Sequence, residues 1–374
     1  MPNPLQIVAF TAGTLQFLDQ PPAAPPEDGF VWVFLSRGAF DTLRPRVQNI
    51  AEHLGGSALL ELHCQDVRNA THPSDYDYTS VYDLVVFRRL KTDAEASEKP
   101  SAPATPSGAI EQGPGSLRHL DTHGVVFAIF DRLLISVHPE GCFTARTFID
   151  RYLADAAQSL GVHNASARTR LPASPADLML RMANLMVENS IGLRRQLGLQ
   201  IERWQQELLQ PRTRFSNWTQ LMAVRDALHS LEDLCDEQQA ALHEWLEALR
   251  EQPPDAQDQG ERDALVARLR DVIEHIDRVV RHARRMEQSA ETVVQIHFNL
   301  QGHRTNDIMR TLTALTAVFL PLNLIAGIFG MNFEFLPLIH KADGFWIALS
   351  SMALIALTLV VVFWRKRYLA RSGR

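Results

Sequence analysis

The sequence is poor in the residues that build disulfide frameworks, zinc sites and covalent active sites. Its 374 residues include only three cysteines, Cys64, Cys142 and Cys235. Their wide spacing excludes a zinc framework, and a reducing cytosol is expected to keep them as thiols. No Gly-rich phosphate-binding loop and no GxSxG nucleophile motif occurs. The sequence therefore predicts no enzymatic activity.

Strong charge and a secretory leader are also missing. The net charge of −6 gives no basis for a nucleic-acid partner. The first apolar stretch, residues 7–10, is short and lacks the basic start of a signal peptide. We therefore expect neither nucleic-acid binding nor cleavage of a leader.

Two long apolar runs dominate the C-terminal part of the chain. Residues 311–330 contain no charged side chain, and about 20 such residues are enough to cross a bilayer core as a helix. A second run, residues 345–364, follows a loop at residues 331–344. The pattern predicts two transmembrane helices, TM1 and TM2, that form a hairpin in a lipid bilayer.

The distribution of basic residues predicts the orientation of this hairpin. The tail at residues 365–374 carries five Lys and Arg residues, and the segment before TM1 carries Arg304 and Arg310. The connecting loop has only Lys341 as a basic residue. Because basic residues near a span favour the cytoplasmic side, both termini are expected to be cytoplasmic and the loop external, in an inner or plasma membrane.

TM1 has more polar residues than an anchor requires. At 100° per residue, seven positions gather within about 100° of arc: Asn306, Met309, Thr313, Thr316, Leu320, Asn323 and Gly327. An amide such as that of Asn323 is expensive to leave unpaired in hydrocarbon. Two interpretations stay open: this stripe packs against another helix, or it lines a water-filled pore. A pore requires a ring of subunits, because two spans cannot enclose a water path.

The end of TM1 carries a recognisable signature. Gly330-Met331-Asn332 closes the span, and Phe333-Glu334-Phe335 follows. With the long charged helix before it, this segment closely resembles the CorA-type divalent metal ion (magnesium/cobalt) transporters over roughly residues 270–370. The resemblance implies a funnel-shaped homopentamer in which TM1 lines a central pore and TM2 lies outside it.

The resemblance also implies roles for individual residues. Ion selection falls to the ring at the external mouth and the amide below it: Gly330, Met331, Asn332 and Asn323. The pore and its apolar gate comprise Asn306, Met309, Leu312, Thr313, Thr316, Leu320 and Gly327. Neutral oxygens suit Mg²⁺, which loses its water reluctantly. In the external loop, Leu338 follows Pro337 where relatives often carry an acidic residue, which leaves Glu334 and Asp343 to attract cations.

A cytoplasmic sensor is a further implication. Residues 270–275 resemble a stalk motif whose aspartate, here Asp271, contributes to an inter-subunit divalent site. The alternative is a solvated helix face with i,i+4 pairs such as Asp271–His275. No cofactor is required, since divalent cations serve as the substrate and, through Asp271, as the regulator.

The expected fold class is an α+β cytoplasmic domain, then a very long stalk helix and the transmembrane hairpin. Its predicted segments are an α/β domain at 1–150 with a disordered insertion at 91–116, a helical arm at 151–255, a stalk helix at 256–310, TM1 at 311–330, an external loop at 331–344, TM2 at 345–364 and a basic tail at 365–374. Strands are expected at 30–35, 82–90 and within 124–137, and a helix at 41–54.

The predicted function is channel-like transport of divalent cations, most of all Mg²⁺ and also Co²⁺ or Ni²⁺. One alternative is a zinc transporter of the same superfamily, because neutral oxygen ligands discriminate poorly among hydrated divalent ions. The other is a membrane-tethered scaffold or sensor that conducts nothing.

Overall fold

The computed structural model describes residues 4–11, 14–91, 121–142, 148, 150, 171–209, 218–251, 259–331 and 342–365. The predicted insertion at 91–116 lies outside them apart from Lys91, as does the basic tail beyond Arg365. The chain divides into two compact units. One comprises Met1–Glu202 and Asn217–Ala290, and the other comprises Arg203–Ser216 and Glu291–Arg374.

A seven-stranded sheet forms the centre of the first unit. Its strands are β1 Leu5–Thr11, β2 Thr14–Leu18, β3 Gly29–Ser36, β4 Asp75–Tyr78, β5 Asp83–Leu90, β6 Thr122–Ile129 and β7 Leu133–His138. Their spatial order is β2-β1-β3-β7-β6-β5-β4. The β3–β7 pair is parallel and all other neighbours are antiparallel.

One face of the sheet packs against α1, Arg37–Gly55. The apolar side chains of β3 at Val31 and Val33 meet Val47 and Ile50 of α1 in a shared core. Gly56 caps the C-terminal end of this helix, and its φ of 83° is a left-handed conformation that favours glycine. A short second helix, α2, spans Glu61–Arg68. This face therefore supplies the main hydrophobic core of the unit.

The opposite face carries a helix that is fixed by polar side chains. Helix α3 spans Pro175–Leu209 and α4 spans Trp218–Glu251. From α4, buried Gln238 donates to the carbonyl oxygen of Arg88 at 2.5 Å, and Trp245 donates to Asp83 at 3.1 Å. These contacts join α4 to β5.

The chain ends in two long apolar helices. Helix α5 runs for 71 residues over Gln259–Phe329, about 100 Å at 1.5 Å per residue, and α6 spans Ala342–Arg365. The predicted fold class is thus confirmed for the single chain: a mixed sheet domain, a very long helix and a second apolar helix. The homopentamer and its funnel shape stay predictions, since the structure contains one chain.

Several local predictions differ from the structure in their bounds. Helix α1 starts four residues before the predicted 41–54 segment. The apolar run 124–137 contains two strands, because a turn closed by the amide of Phe130 and the carbonyl of Leu133 at 2.9 Å separates β6 from β7. Four elements were not predicted: strands β1, β2 and β4 and helix α2. The edge strands β2 and β4 and helix α2 have few buried residues to mark them, whereas β1 is mostly buried.

Candidate ion pathway

The end of α5 and almost all of α6 are long and apolar enough to cross a membrane. In the most apolar 18-residue segment of α5 only 6% of the residues are buried, and in the corresponding segment of α6 no residue is buried. A core helix of a soluble protein would be mostly buried, so this exposure fits helices that meet a bilayer or other helices. The exposed side chains include large apolar ones such as Leu315, Phe319 and Leu324.

The polar stripe of TM1 lies on one continuous helix. Because residues 306–327 are helical throughout, the seven predicted positions share one side of α5. All seven residues are exposed, including Asn306 and Asn323, which carry amide groups. The stripe is therefore open to whatever surrounds this helix.

The two threonines of the stripe have hydroxyl oxygens that can still accept hydrogen bonds. The hydroxyl of Thr313 donates to the carbonyl oxygen of Met309 at 2.8 Å, and that of Thr316 donates to Leu312 at 2.9 Å. A hydroxyl has one proton and two lone pairs, so each oxygen keeps acceptor capacity after this bond. The amide oxygen of Asn323 is a further neutral acceptor on the same side. This side of TM1 can receive hydrogen bonds from water.

Apolar side chains interrupt the acceptors at the positions predicted for a gate. Met309 is 59% exposed, Leu312 is 56% exposed and Leu320 is 70% exposed. Each of these residues is thus more than half exposed in the described part of the single chain. Rings of such residues around a symmetry axis would form constrictions that exclude water when closed.

The helix ends where the signature begins. The amide of Gly330 donates to Ala326 at 2.9 Å, and that of Met331 donates to Ile328 at 3.2 Å. A Cβ atom on Gly330 would lie 3.1 Å from the Ala326 oxygen, so this close approach favours glycine although its φ is not left-handed. Around Gly327 there is open space within 4 Å. Asn332 and Glu334 lie outside the described residues, and so does the side chain of Asp343.

The predicted sensor residue, Asp271, has an exposed carboxylate on α5. Among the described residues of one chain, no group of three or more His, Cys, Asp or Glu side chains could hold a metal ion. His275 hydrogen-bonds Asn184 of α3 at 2.6 Å, and no ion pair with Asp271 is formed within the described segments. A site shared between subunits stays a prediction.

A partly buried carboxylate that the sequence pattern does not indicate lies between β5 and α4. Asp83 accepts hydrogen bonds from Trp245 Nε1 and Tyr76 Oη, both at 3.1 Å. Burial raises the pKa of Asp83, while these two hydrogen bonds oppose the shift. Burial, followed by the charge of Asp83, also raises the pKa of Tyr76. No local pattern marks such a cluster, because its members come from three separate elements.

Comparison with known proteins assigns the family. A family model for the CorA-like Mg²⁺ transporter protein matches residues 111–367, well over half of the chain. The chain belongs to the CorA-like Mg²⁺ transporter family. Since this is a family of transporters, the prediction that the chain is not an enzyme agrees with its membership.

Individual members of the family match over shorter regions. The cobalt/magnesium transport protein CorA of Thermotoga maritima is 32% identical over 101 residues, covering 27% of this chain and 29% of the relative. The protein of the same name from Methanocaldococcus jannaschii is 35% identical over 78 residues, 21% of this chain and 25% of the relative. These alignments therefore span less than a third of each relative.

The fold similarity extends over the full chain. The complete structure of the CorA magnesium transporter from Methanocaldococcus jannaschii matches with a TM-score of 0.71 at 16% identity, covering 100% of this chain and 99% of that one. The CorA fold therefore includes the N-terminal sheet domain, for which the sequence indicated only a general similarity of layout.

Proposed function

We propose that this protein is a channel-like transporter of divalent cations, with Mg²⁺ as its main substrate and Co²⁺ or Ni²⁺ as further ones. The observation that carries the proposal is the exposed stripe of neutral acceptors on an otherwise apolar helix. In the proposed homopentamer, five copies of this stripe face a central axis and enclose a water-filled path. Family membership and the names of the aligned relatives support the choice of ion.

The chemistry of the stripe suits a hydrated ion. Mg²⁺ holds its water tightly, and the water molecules of its first shell donate hydrogen bonds outward. Hydroxyl oxygens that already donate to their own helix, as at Thr313 and Thr316, are left to accept from those water molecules. Neutral acceptors bind weakly enough for the ion to leave again, which conduction requires.

We assign the ends of the path by the same chemistry. Five Asn332 side chains in the external loop would select the hydrated ion as it enters, with Asn323 below them. Met309 and Leu312 would close the cytoplasmic end by excluding water. With both termini cytoplasmic, a membrane potential favours cation entry by about 4.6 kcal/mol per divalent ion per 100 mV.

Asp271 would regulate the path. Carboxylates crowded between subunits repel each other until a cation bridges them. Because Asp271 and the stripe belong to the same helix, loss of this cation would bias α5 toward an open arrangement.

Flux measurements in liposomes that contain the purified protein test this proposal. We expect Mg²⁺ entry driven by an inside-negative potential, with Co²⁺ entering as well. Flux of Zn²⁺ without Mg²⁺ would favour the zinc-transporter alternative, and absence of any divalent flux would favour a non-conducting scaffold. Either result would contradict the proposal.

A matched pair of variants tests the role of the stripe itself. Thr316→Val removes an acceptor from the stripe, whereas Thr358→Val removes one from α6, and both hydroxyls donate to a carbonyl four residues earlier. We expect Thr316→Val to reduce Mg²⁺ flux several-fold and Thr358→Val to leave it near the wild-type value. Equal effects of the two variants would remove the stripe from the ion path.

A further inference from the structure

A polar cluster lies against the sheet, on the face opposite α1. Ser136 and His138 alternate with apolar residues along β7, so their side chains point to the same side as Trp32 of β3. Arg89 of β5 reaches the same place, and Cys142 follows β7 after a turn. Four of these residues, Trp32, Ser136, His138 and Arg89, are at most 3% exposed, while Cys142 is partly exposed.

The turn after β7 brings Cys142 back to the strand it has just left. Gly141 has a φ of 70°, a left-handed conformation that favours glycine. The Sγ atom of Cys142 then lies 3.5 Å from Nδ1 of His138 and 3.3 Å from Nη2 of Arg89. The sulfur therefore has two nitrogen neighbours.

A hydrogen-bond chain runs from Trp32 through Ser136 to His138. Trp32 Nε1 can only donate, and it donates to Ser136 Oγ at 2.8 Å. Ser136 Oγ lies 2.8 Å from His138 Nε2 and has a hydroxyl proton that it can donate to this nitrogen. A neutral histidine whose Nε2 accepts carries its proton on Nδ1, the nitrogen that faces the sulfur.

The sulfur of Cys142 accepts from the guanidinium of Arg89, and in this tautomer of His138 it also accepts from Nδ1–H. Both contacts favour an ionised sulfur over a thiol, and the arginine is a buried cation beside it. A thiolate that is partly exposed is the reactive form of cysteine. The other two cysteines have the opposite environment: burial raises the pKa of Cys64 and raises that of Cys235 to about 12.

We propose that Cys142 is a reactive thiolate and a site of reversible oxidation by small hydroperoxides. In this step the sulfur attacks the distal peroxide oxygen, an S–O bond forms and the O–O bond breaks. With hydrogen peroxide the products are the sulfenic acid of Cys142 and hydroxide, so the sulfur is oxidised by two electrons and the peroxide is reduced. A cytosolic thiol would then restore Cys142 through a mixed disulfide.

Competitive labelling of the full-length protein in detergent tests this proposal. A short pulse of iodoacetamide at pH 7, followed by unfolding and mass spectrometry, compares the three cysteines within the same molecule. We expect Cys142 to react at least about 100-fold faster than Cys235, since a pKa of about 12 leaves almost no thiolate there. A parallel sample treated with hydrogen peroxide and dimedone should carry the sulfenic-acid adduct on Cys142. Equal native rates at the three cysteines would overturn the proposal.

The pH profile separates a stabilised thiolate from mere exposure. We expect the alkylation rate of Cys142 to reach half its plateau at a lower pH than that of an ordinary exposed thiol, which does so near pH 8.5. Ser136→Ala removes the hydroxyl that can donate to His138 Nε2 and should move this midpoint upward. A wild-type midpoint at or above 8.5 would overturn the proposal, and this measurement requires no variant to fold.

Discussion

Trp245→Phe is expected to loosen the junction between the sheet and α4. The indole is 1% exposed, stacks on Tyr76 with ring centroids 6.4 Å apart, and donates its N–H to Asp83. Phenylalanine keeps an aromatic ring at this position but has no N–H to donate. The main effect of the change is therefore the loss of one hydrogen bond to a partly buried carboxylate.

The size of this effect follows from the charge of the acceptor. A hydrogen bond to a charged group contributes about 1.5–3 kcal/mol, and a buried acceptor left without its donor retains its desolvation cost. A loss of about 2 kcal/mol in the free energy of local opening corresponds to roughly 30-fold faster amide hydrogen exchange, since each 1.36 kcal/mol is a factor of ten. We expect this acceleration in β5 and in the part of α4 around residue 245.

The effect should depend on pH in a defined direction. The pKa of Asp83 is raised in the folded protein, so its contribution to stability is full below its ordinary value of 3.8 and is lost as pH rises through the folded-state pKa. The hydrogen bond from Trp245 lowers this pKa, and its removal raises the pKa further. The acceleration in Trp245→Phe should therefore be larger at pH 8 than at pH 5.

Hydrogen-exchange mass spectrometry on the full-length protein measures both effects. Peptides from α1, which packs on the other face of the sheet, serve as the internal control. In a background of Asp83→Asn, which removes the charge and keeps an acceptor, Trp245→Phe should cost less and lose its pH dependence. Unchanged exchange in β5 and α4, or a larger acceleration at pH 5 than at pH 8, would refute the reasoning.

Three further predictions concern the ion path and its control. Asn332→Ala should abolish Mg²⁺ flux while the oligomer measured by light scattering stays intact, and normal flux would exclude the external ring from ion selection. Leu312→Ala should raise the leak current in planar bilayers several-fold while Leu322→Ala, the same change away from the stripe, leaves it unchanged; equal leaks would place the constriction elsewhere. Asp271→Asn should raise the flux that remains at millimolar cytoplasmic Mg²⁺ several-fold, because the proposed site between subunits loses a bridging carboxylate. If cytoplasmic Mg²⁺ inhibits this variant as strongly as the wild type, the proposed sensor is contradicted.

The membrane part of the fold could be predicted from the sequence because its signals are continuous. A run of about 20 uncharged, mostly apolar residues predicts a transmembrane helix without reference to any other part of the chain. The predicted stalk helix at 256–310 and TM1 at 311–330 form one continuous helix, α5, over Gln259–Phe329, and no proline lies between Gln259 and Pro321. Pro321 itself lies within this helix, although it removes one backbone donor.

The sheet domain was predictable only in part, since its order depends on contacts between distant residues. The buried strands β3 and β5 are evident from their apolar runs, whereas β4, with the sequence Asp-Tyr-Asp-Tyr, is recognisable as a strand only by its pairing with β5. His275 illustrates the same limit. One of the two interpretations of this segment paired His275 with Asp271 on its own helix, but His275 hydrogen-bonds Asn184, 91 positions away in the chain.

Exposure in a single chain does not distinguish the lipid face of TM1 from its water face, but hydrogen bonding does. Thr313 and Thr316 satisfy their protons within the helix, and a hydroxyl bonded in this way is tolerated against hydrocarbon. Asn323 differs, because within the described residues its amide has no hydrogen-bond partner. Leaving an amide unpaired in an apolar medium costs several kcal/mol, more than the marginal gain of a typical helix contact in a membrane. Asn323 must therefore meet water or a polar group of a neighbouring helix, and both require that this side of TM1 face away from lipid.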